Sequence, residues 1–233
     1  MNNNQISVSP FDKLLSLLDN KAHKEAWHFC KAHNLTFDSL TEAQQLTVLE
    51  ASPYALFALS SLEDLSLNYK ELTPELLNVF SLQEGLERMF VKDYDGEKLS
   101  ENFAKLQHLK SFNMASSYDQ SCWKFLNLVA GEFNWDPIVE MKNLNYLRLI
   151  NVGLSYIDSR INNLTELRHL SLNNNYITEL PESIFELPFL WVLELSDNEM
   201  NPIDRGAIEE QVTLANQKRA GRKLILSMDI RTT

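Results

Sequence analysis

Leucine stands at positions 167, 170 and 172 and again, 23 residues later, at 190, 193 and 195. An amphipathic helix would bring apolar residues back every three or four positions without such a gap. In a strand, alternate side chains share a face, so Leu170 with Leu172, and Leu193 with Leu195, would point inward from two short strands. Asn175 and Asn198 follow where each chain must turn away. An asparagine amide suits that corner because it can satisfy turn backbone groups that have no strand partner. The stretch ITELPESIFELPFL then sends Ile177, Leu180, Ile184 and Leu187 back toward the same interior. One such unit cannot bury its own apolar face, but a stack of them can.

The pattern extends toward the N-terminus. Leu144, Leu147 and Leu149 repeat the offsets, with Val152 at the corner position. Leu109/Phe112/Met114, Leu86/Met89/Val91 and Leu62/Leu65/Leu67 carry degenerate copies. Six units result, at spacings of 24, 23, 35, 23 and 23 residues, and the unit spanning 109–143 is extended by about a dozen residues.

These residues resemble the leucine-rich repeat family, whose L-x-x-L-x-L-x-x-N-x-L motif is met in full by LRHLSLNNNYI. The linker ELPESIFELPFL is similar to the type found in Ras-suppressor-like and bacterial cytoplasmic repeat proteins. The resemblance implies an α/β solenoid, curved, with a parallel sheet on its concave side that grips another protein.

An open end of such a stack would expose the interior, so both ends need caps. Residues 1–59 are expected to form a helical N-terminal cap. Ser9-Pro10 starts one helix, KAHKEAWHFCKAH forms a second ending near Asn34, Thr41 to Gln44 is a capping box for a third, and Ser52-Pro53 opens a fourth. The repeats occupy 60–201. Residues 202–233 are expected to close the array with a helix ending at Gly221 and a strand carrying Leu224 and Leu226.

Composition limits the partners. The chain of 233 residues is 44% hydrophobic, ample for a core, and its formal charge of −11 argues against binding nucleic acid or an anionic membrane. Cys30 and Cys122 are too few for a disulfide framework. The start MNNNQISVSPFDKLL lacks a basic segment followed by an apolar run, and no stretch approaches the ~20 apolar residues of a membrane span. The expectation is a cytoplasmic protein, in which the sequons at Asn34 and Asn163 are accidental.

Chemistry is sparse. His23, His28, Cys30 and His33 crowd one helix, but at 100° per residue His28 faces away. His23 lies roughly 10 Å along the axis from Cys30, too far to share an ion. Cys30 and His33 remain, short of the ligands zinc needs. The loop KDYDGEKLSEN fails the calcium-loop pattern at Val91 and Asn102. No phosphate-cradling glycine loop or catalytic triad is present in the sequence, and no metal or cofactor is expected. In the extended unit, Tyr118, Trp123, Phe125, Phe133 and Trp135 either pack into the solenoid or leave an exposed interaction point, with Trp123 and Trp135 as its candidate anchors.

On the concave face the residues beside the inward pairs carry three fixed positive charges (Arg88, Lys92, Arg148) against two negative (Asp64, Glu194), among Phe90, Tyr146 and Ile150. Tyrosine and arginine dominate interface energetics. The sequence therefore points to a non-enzymatic scaffold or adaptor, monomeric alone, that binds a partner protein through Arg88, Phe90, Tyr146, Arg148, His169, Trp191 and Glu194. An alternative is an assembly module joined through residues 118–137 or the sheet edge. A third reading, an enzyme around Cys30 and His33, lacks companion groups.

Overall fold

The computed structural model describes residues 9–20, 22–36, 39–52, 63–117, 133–198 and 200–228. Seven strands form one sheet in chain order: β1 (Asp64–Asn68), β2 (Arg88–Lys92), β3 (Ser111–Ala115), β4 (Tyr146–Ile150), β5 (His169–Ser171), β6 (Val192–Glu194) and β7 (Ile225–Ser227). Every neighbouring pair is parallel.

The register follows from the spacing. Leu65, Met89, Phe112, Leu147, Leu170, Leu193 and Leu226 stand opposite one another from strand to strand. This inward ladder is buried from Met89 to Leu193. A second ladder runs through Leu67, Val91, Met114 and Leu149. Outside the sheet the chain returns through short elements: α4 (Pro74–Phe80), α5 (Asp136–Val139) and 3-10 turns such as Ser159–Asn163 and Glu182–Glu186. Their apolar residues, including Phe80, Ile138, Ile161 and Ile184, close the core from the convex side.

The corners are held by side-chain amides. Asn175 is fully buried; its Oδ1 accepts from the amides of Val152 (3.0 Å) and Leu154 (3.1 Å), and its Nδ2 donates to the carbonyls of Leu149 (2.8 Å) and Leu172 (3.0 Å). Asn198 repeats the arrangement one unit later, accepting from Ile177 and donating to Leu172 and Leu195. Each asparagine thus ties two successive units together. The residue before the corner carries the bend: Asp93, Asn151, Asn174 and Asp197 all have φ between 53° and 61°. That left-handed region favours Asn and Asp among residues with a side chain.

Two strands are shorter than their repeats imply. Strands over 169–173 and 192–196 are the sequence expectation, yet β5 and β6 have three residues each. Beyond Ser171 the Leu172 amide still donates to the Glu194 carbonyl (2.8 Å), while the Leu172 carbonyl accepts from the side-chain amides of Asn175 and Asn198. β4 keeps five residues through its pairing with β3, although its Leu149 carbonyl also accepts from Asn175. β7 is likewise confined to Ile225–Ser227 within the expected 223–228.

Caps mark the starts of two N-terminal helices and the end of another where the sequence places them. α1 (Pro10–Asp19) begins at Ser9, whose hydroxyl accepts from the Asp12 amide; α2 (His23–His33) ends on left-handed Asn34; α3 (Glu42–Ala51) has the Thr41/Gln44 capping box. The helix expected from Ser52-Pro53 lies outside the described residues. Leu14, Leu18, Ala26, Cys30, Leu40 and Val48 form a small core apart from the solenoid core. A Lys31–Glu84 ion pair (2.8 Å) ties α2 to the solenoid. Leu65 and Leu67 on β1 remain half-buried, so the described residues do not complete the seal expected over the first repeat. At the other end α6 (Pro202–Lys218) starts on Asn201, which accepts from Ile203 and Asp204; it stops before the expected Gly221, and the turn beyond it buries Leu224.

Replacing Asn175 by alanine would leave the amides of Val152 and Leu154 and the carbonyl of Leu149 without their buried partner. At about 1–3 kcal/mol per orphaned group, partly relieved by relaxation, the expected loss is ~3 kcal/mol or more. Urea denaturation of Asn175→Ala measures it, and a loss below about 1 kcal/mol would remove the amide from its tying role.

Candidate functional site

Strand alternation decides which side chains reach the concave surface. On β2 the exposed residues are Arg88, Phe90 and Lys92, and on β4 they are Tyr146 and Arg148. Phe90 and Tyr146 are 38% and 43% exposed, unusual for large apolar side chains on regular strands. Tyr146 stands opposite His169, with ring centroids 5.8 Å apart, and His169 stands opposite Val192. His169 Nε2 lies 3.4 Å from a Glu194 carboxylate oxygen. Burial alone would raise the Glu194 pKa, but the Ser171 hydroxyl and the charges of His169 and Arg148 outweigh it and hold the carboxyl below its ordinary range.

The charges on this face are not equally available. Arg88 grips Asp64 through two contacts, one of them Nη2 to Oδ2 at 2.6 Å. That pairing, chiefly through the hydrogen bond, keeps the Asp64 carboxyl below its usual pKa. Lys92 has its Nζ 5.6 Å from the Phe90 ring centre. Among the described residues neither Lys92 nor Arg148 lies within ion-pair distance of a carboxylate. Two cations on this face thus lack a directly paired carboxylate among the described residues, on a chain of net charge −11.

The face also holds a depression of about 570 Å³ over β1 to β4. It exists because Ser66 on β1 and Ser111, Asn113 and Ala115 on β3 are small, whereas Phe90, Arg148 and Ile150 beside them are large. Strand alternation alone puts these residues on the concave side but does not reveal the hollow. The signal was present in the run of small residues on one strand.

Several expected site residues are placed otherwise. Trp191 is half-buried, and the Arg222 guanidinium carbon lies 3.0 Å from its ring centre, so the C-terminal segment already occupies that face. Ser171, which by alternation between the inward Leu170 and Leu172 belongs to the concave side, is fully buried in register between Arg148 and Glu194. Trp135, a candidate for a secondary surface, is 1% exposed. It sits at the end of an aromatic column in which Tyr69 meets Tyr94 (5.0 Å), Tyr94 meets Phe133 (6.1 Å) and Phe133 meets Trp135 (5.3 Å). Tyr94 occupies the corner position that Asn175 and Asn198 fill later, and its hydroxyl donates to the Glu97 carbonyl at 2.8 Å. Tyr118, Trp123 and Phe125 lie outside the described residues.

Cys30 and His33 do not converge. Cys30 is buried in the helical core, whereas His33 is exposed, stacks on Phe29 at 4.0 Å and contacts the Phe29 carbonyl through Nδ1 at 2.9 Å. Burial pushes the Cys30 thiol up to about 11. Among the described residues no group of three or more His, Cys, Asp or Glu side chains could hold a metal ion, and no helix is long and apolar enough to cross a membrane.

The parallel in-register sheet, repeated corners and convex returns constitute the leucine-rich repeat fold. No family model matches the chain. It is 37% identical over 68 residues to the adenylate cyclase of Schizosaccharomyces pombe, a match covering 29% of this chain and 4% of that protein. Among solved structures it is similar to an internalin (inlF) of Listeria monocytogenes (TM-score 0.47, 20% identity, 76% of this chain and 51% of that one). A leucine-rich repeat protein of Leptospira interrogans gives a TM-score of 0.42 at 20% identity, again over 76% and 51% of the two chains. Internalin C2 of Listeria monocytogenes gives 0.41 at 15% identity over 65% and 55%. The chain thus spans about half the length of these structures.

With its thiol protonated and enclosed, Cys30 should resist alkylation. In a Cys122→Ser background at pH 8, iodoacetamide should label the native chain at least about a hundredfold more slowly than the urea-unfolded chain. Equal rates would restore Cys30 as a reactive group. Because the folded pKa lies above the ordinary value of 9.0, its contribution to stability is present below pH 9 and is lost as the pH rises toward 11.

Proposed function

We propose that the chain is a non-enzymatic scaffold or adaptor that holds a partner protein on the concave face of its sheet. The observation that carries this reading is the presence of exposed Phe90 and Tyr146 beside Arg148, which has no ion-paired carboxylate among the described residues, on an acidic molecule. Aromatic and arginine side chains presented on rigid strands lose little freedom on binding, which is why they anchor interfaces. Tyr146, Arg148 and His169 form the centre, with Arg88 and Glu194 fixing the neighbours through their own ion pairs. Trp191 contributes at the margin through its packing with Arg222. The setting we propose is the cytoplasm, with the protein monomeric until its partner binds.

The assembly reading has one observation in its favour. β7 ends the sheet, and Ile225 on it is 55% exposed, so a second copy could pair there. Light scattering at increasing concentration decides between the two, since an assembly module would not stay monomeric.

A pull-down from the native cell supplies the partner, and calorimetry measures its affinity. The double variant Tyr146→Ala/Arg148→Ala should weaken binding by ~2 kcal/mol or more, with the urea midpoint unchanged because neither side chain enters the core. Unchanged binding, together with loss on Trp123→Ala, would move the functional surface to the extended unit.

A further inference from the structure

The hollow on the concave face has a direction. Its floor is the outward side of β3, where Ser111, Asn113 and Ala115 are small and half-buried. Arg88 and Phe90 stand in register on one side, and Tyr146, Arg148 and Ile150 on the other. At two inter-strand spacings of about 4.8 Å the flanking strands are roughly 10 Å apart. That admits one extended chain but not a helix, whose diameter with side chains is about 10–12 Å. Five residues of β3 give the trough a length of roughly 16 Å, enough for about five residues of an extended ligand.

Charge and polarity complete the description. Arg148 lines one wall, and on the facing strand the exposed Lys92, just beyond the lining, holds its Nζ 5.6 Å from the centre of the Phe90 ring that lines the other; both lack a carboxylate partner among the described residues, while Arg88 is neutralised by Asp64. Phe90 and Ile150 supply an apolar contact across the trough. A neutral or basic segment would leave two cations uncompensated; an acidic one would meet both.

We propose that this trough takes a linear acidic segment of the partner, extended along β3, with carboxylates toward Lys92 and Arg148 and one apolar side chain seated between Phe90 and Ile150. The proposal rests on the concave-face reading and narrows it to a class of ligand. It differs from a globular partner resting on Tyr146 and His169, because the floor of β3 would then be empty.

The probe is a random heptapeptide library displayed on phage and selected against the immobilised full chain, followed by titration of the enriched peptides as free synthetic molecules. The expected result is an acidic consensus with one apolar or aromatic position. Its affinity should fall about tenfold or more between low and high salt, and about tenfold in Lys92→Glu and in Asn113→Trp, which fills the floor. Lys92→Glu changes an exposed side chain and keeps the test sound should Asn113→Trp misfold, as monitored by circular dichroism. No enrichment, a neutral or basic consensus, or indifference to Lys92→Glu overturns the proposal. If the native partner is lost on Tyr146→Ala/Arg148→Ala but retained by both trough variants, the trough fails and the concave-face reading stands. Retention by all three removes both.

Discussion

A solenoid must turn its chain out of the sheet once per unit, and each turn takes buried peptide groups away from their strand partners. Leaving those groups unpaired would cost about 1–3 kcal/mol each, a large part of what the apolar packing of a unit contributes. Asn175 and Asn198 resolve this by placing one amide where two units meet, so that one side chain satisfies donors and acceptors on both. Fixing that corner fixes the depth at which the next strand starts. The register of Leu147, Leu170 and Leu193 depends on it as much as on leucine burial.

The same requirement explains why the N-terminal half looks degenerate. Where Tyr94 replaces the asparagine, a large ring fills the corner and a hydroxyl serves one carbonyl, so neighbouring aromatics must supply the remaining packing. Burial pushes the Tyr69 hydroxyl up to about 12 and that of Tyr94 higher still, consistent with phenols acting as neutral donors inside the wall. The extended unit contributes Phe133 and Trp135 to this column. Amides therefore order one end of the solenoid and aromatic contacts the other.

That division sets how much could be read from sequence. Leu170 and Leu172 declared both strand and facing, because a period of two with a 23-residue recurrence has few other physical solutions. The caps at Ser9 and Thr41 were legible because they are local hydrogen bonds between residues three apart. Trp135 and Trp191 were less legible: their exposure depends on chain segments 41 and 31 residues away in sequence, Tyr94 reached through Phe133 in one case and Arg222 in the other. Cys30 and His33 share a helix side by arithmetic, yet the histidine turns to its own helix's Phe29. The availability of Arg148, as opposed to Arg88, required knowing that Asp64 lies beside only one of them.

The departures from regularity fall in one region. β2 to β4 carry the non-leucine inward residues Met89, Val91, Phe112 and Met114, the aromatic column, the extended unit and the concave hollow. Regular units at the C-terminal end are constrained on both sides by amide and leucine, which leaves little room for variation without loss of register. If the concave face binds a partner as proposed, irregularity concentrated there is what such a role requires. Small residues on β3 weaken side-chain packing on the open face without touching the core, since Phe112 and Met114 face inward and remain fully buried. The hollow is thus available at little cost to stability, and its walls are held by strands whose spacing the corners have already fixed.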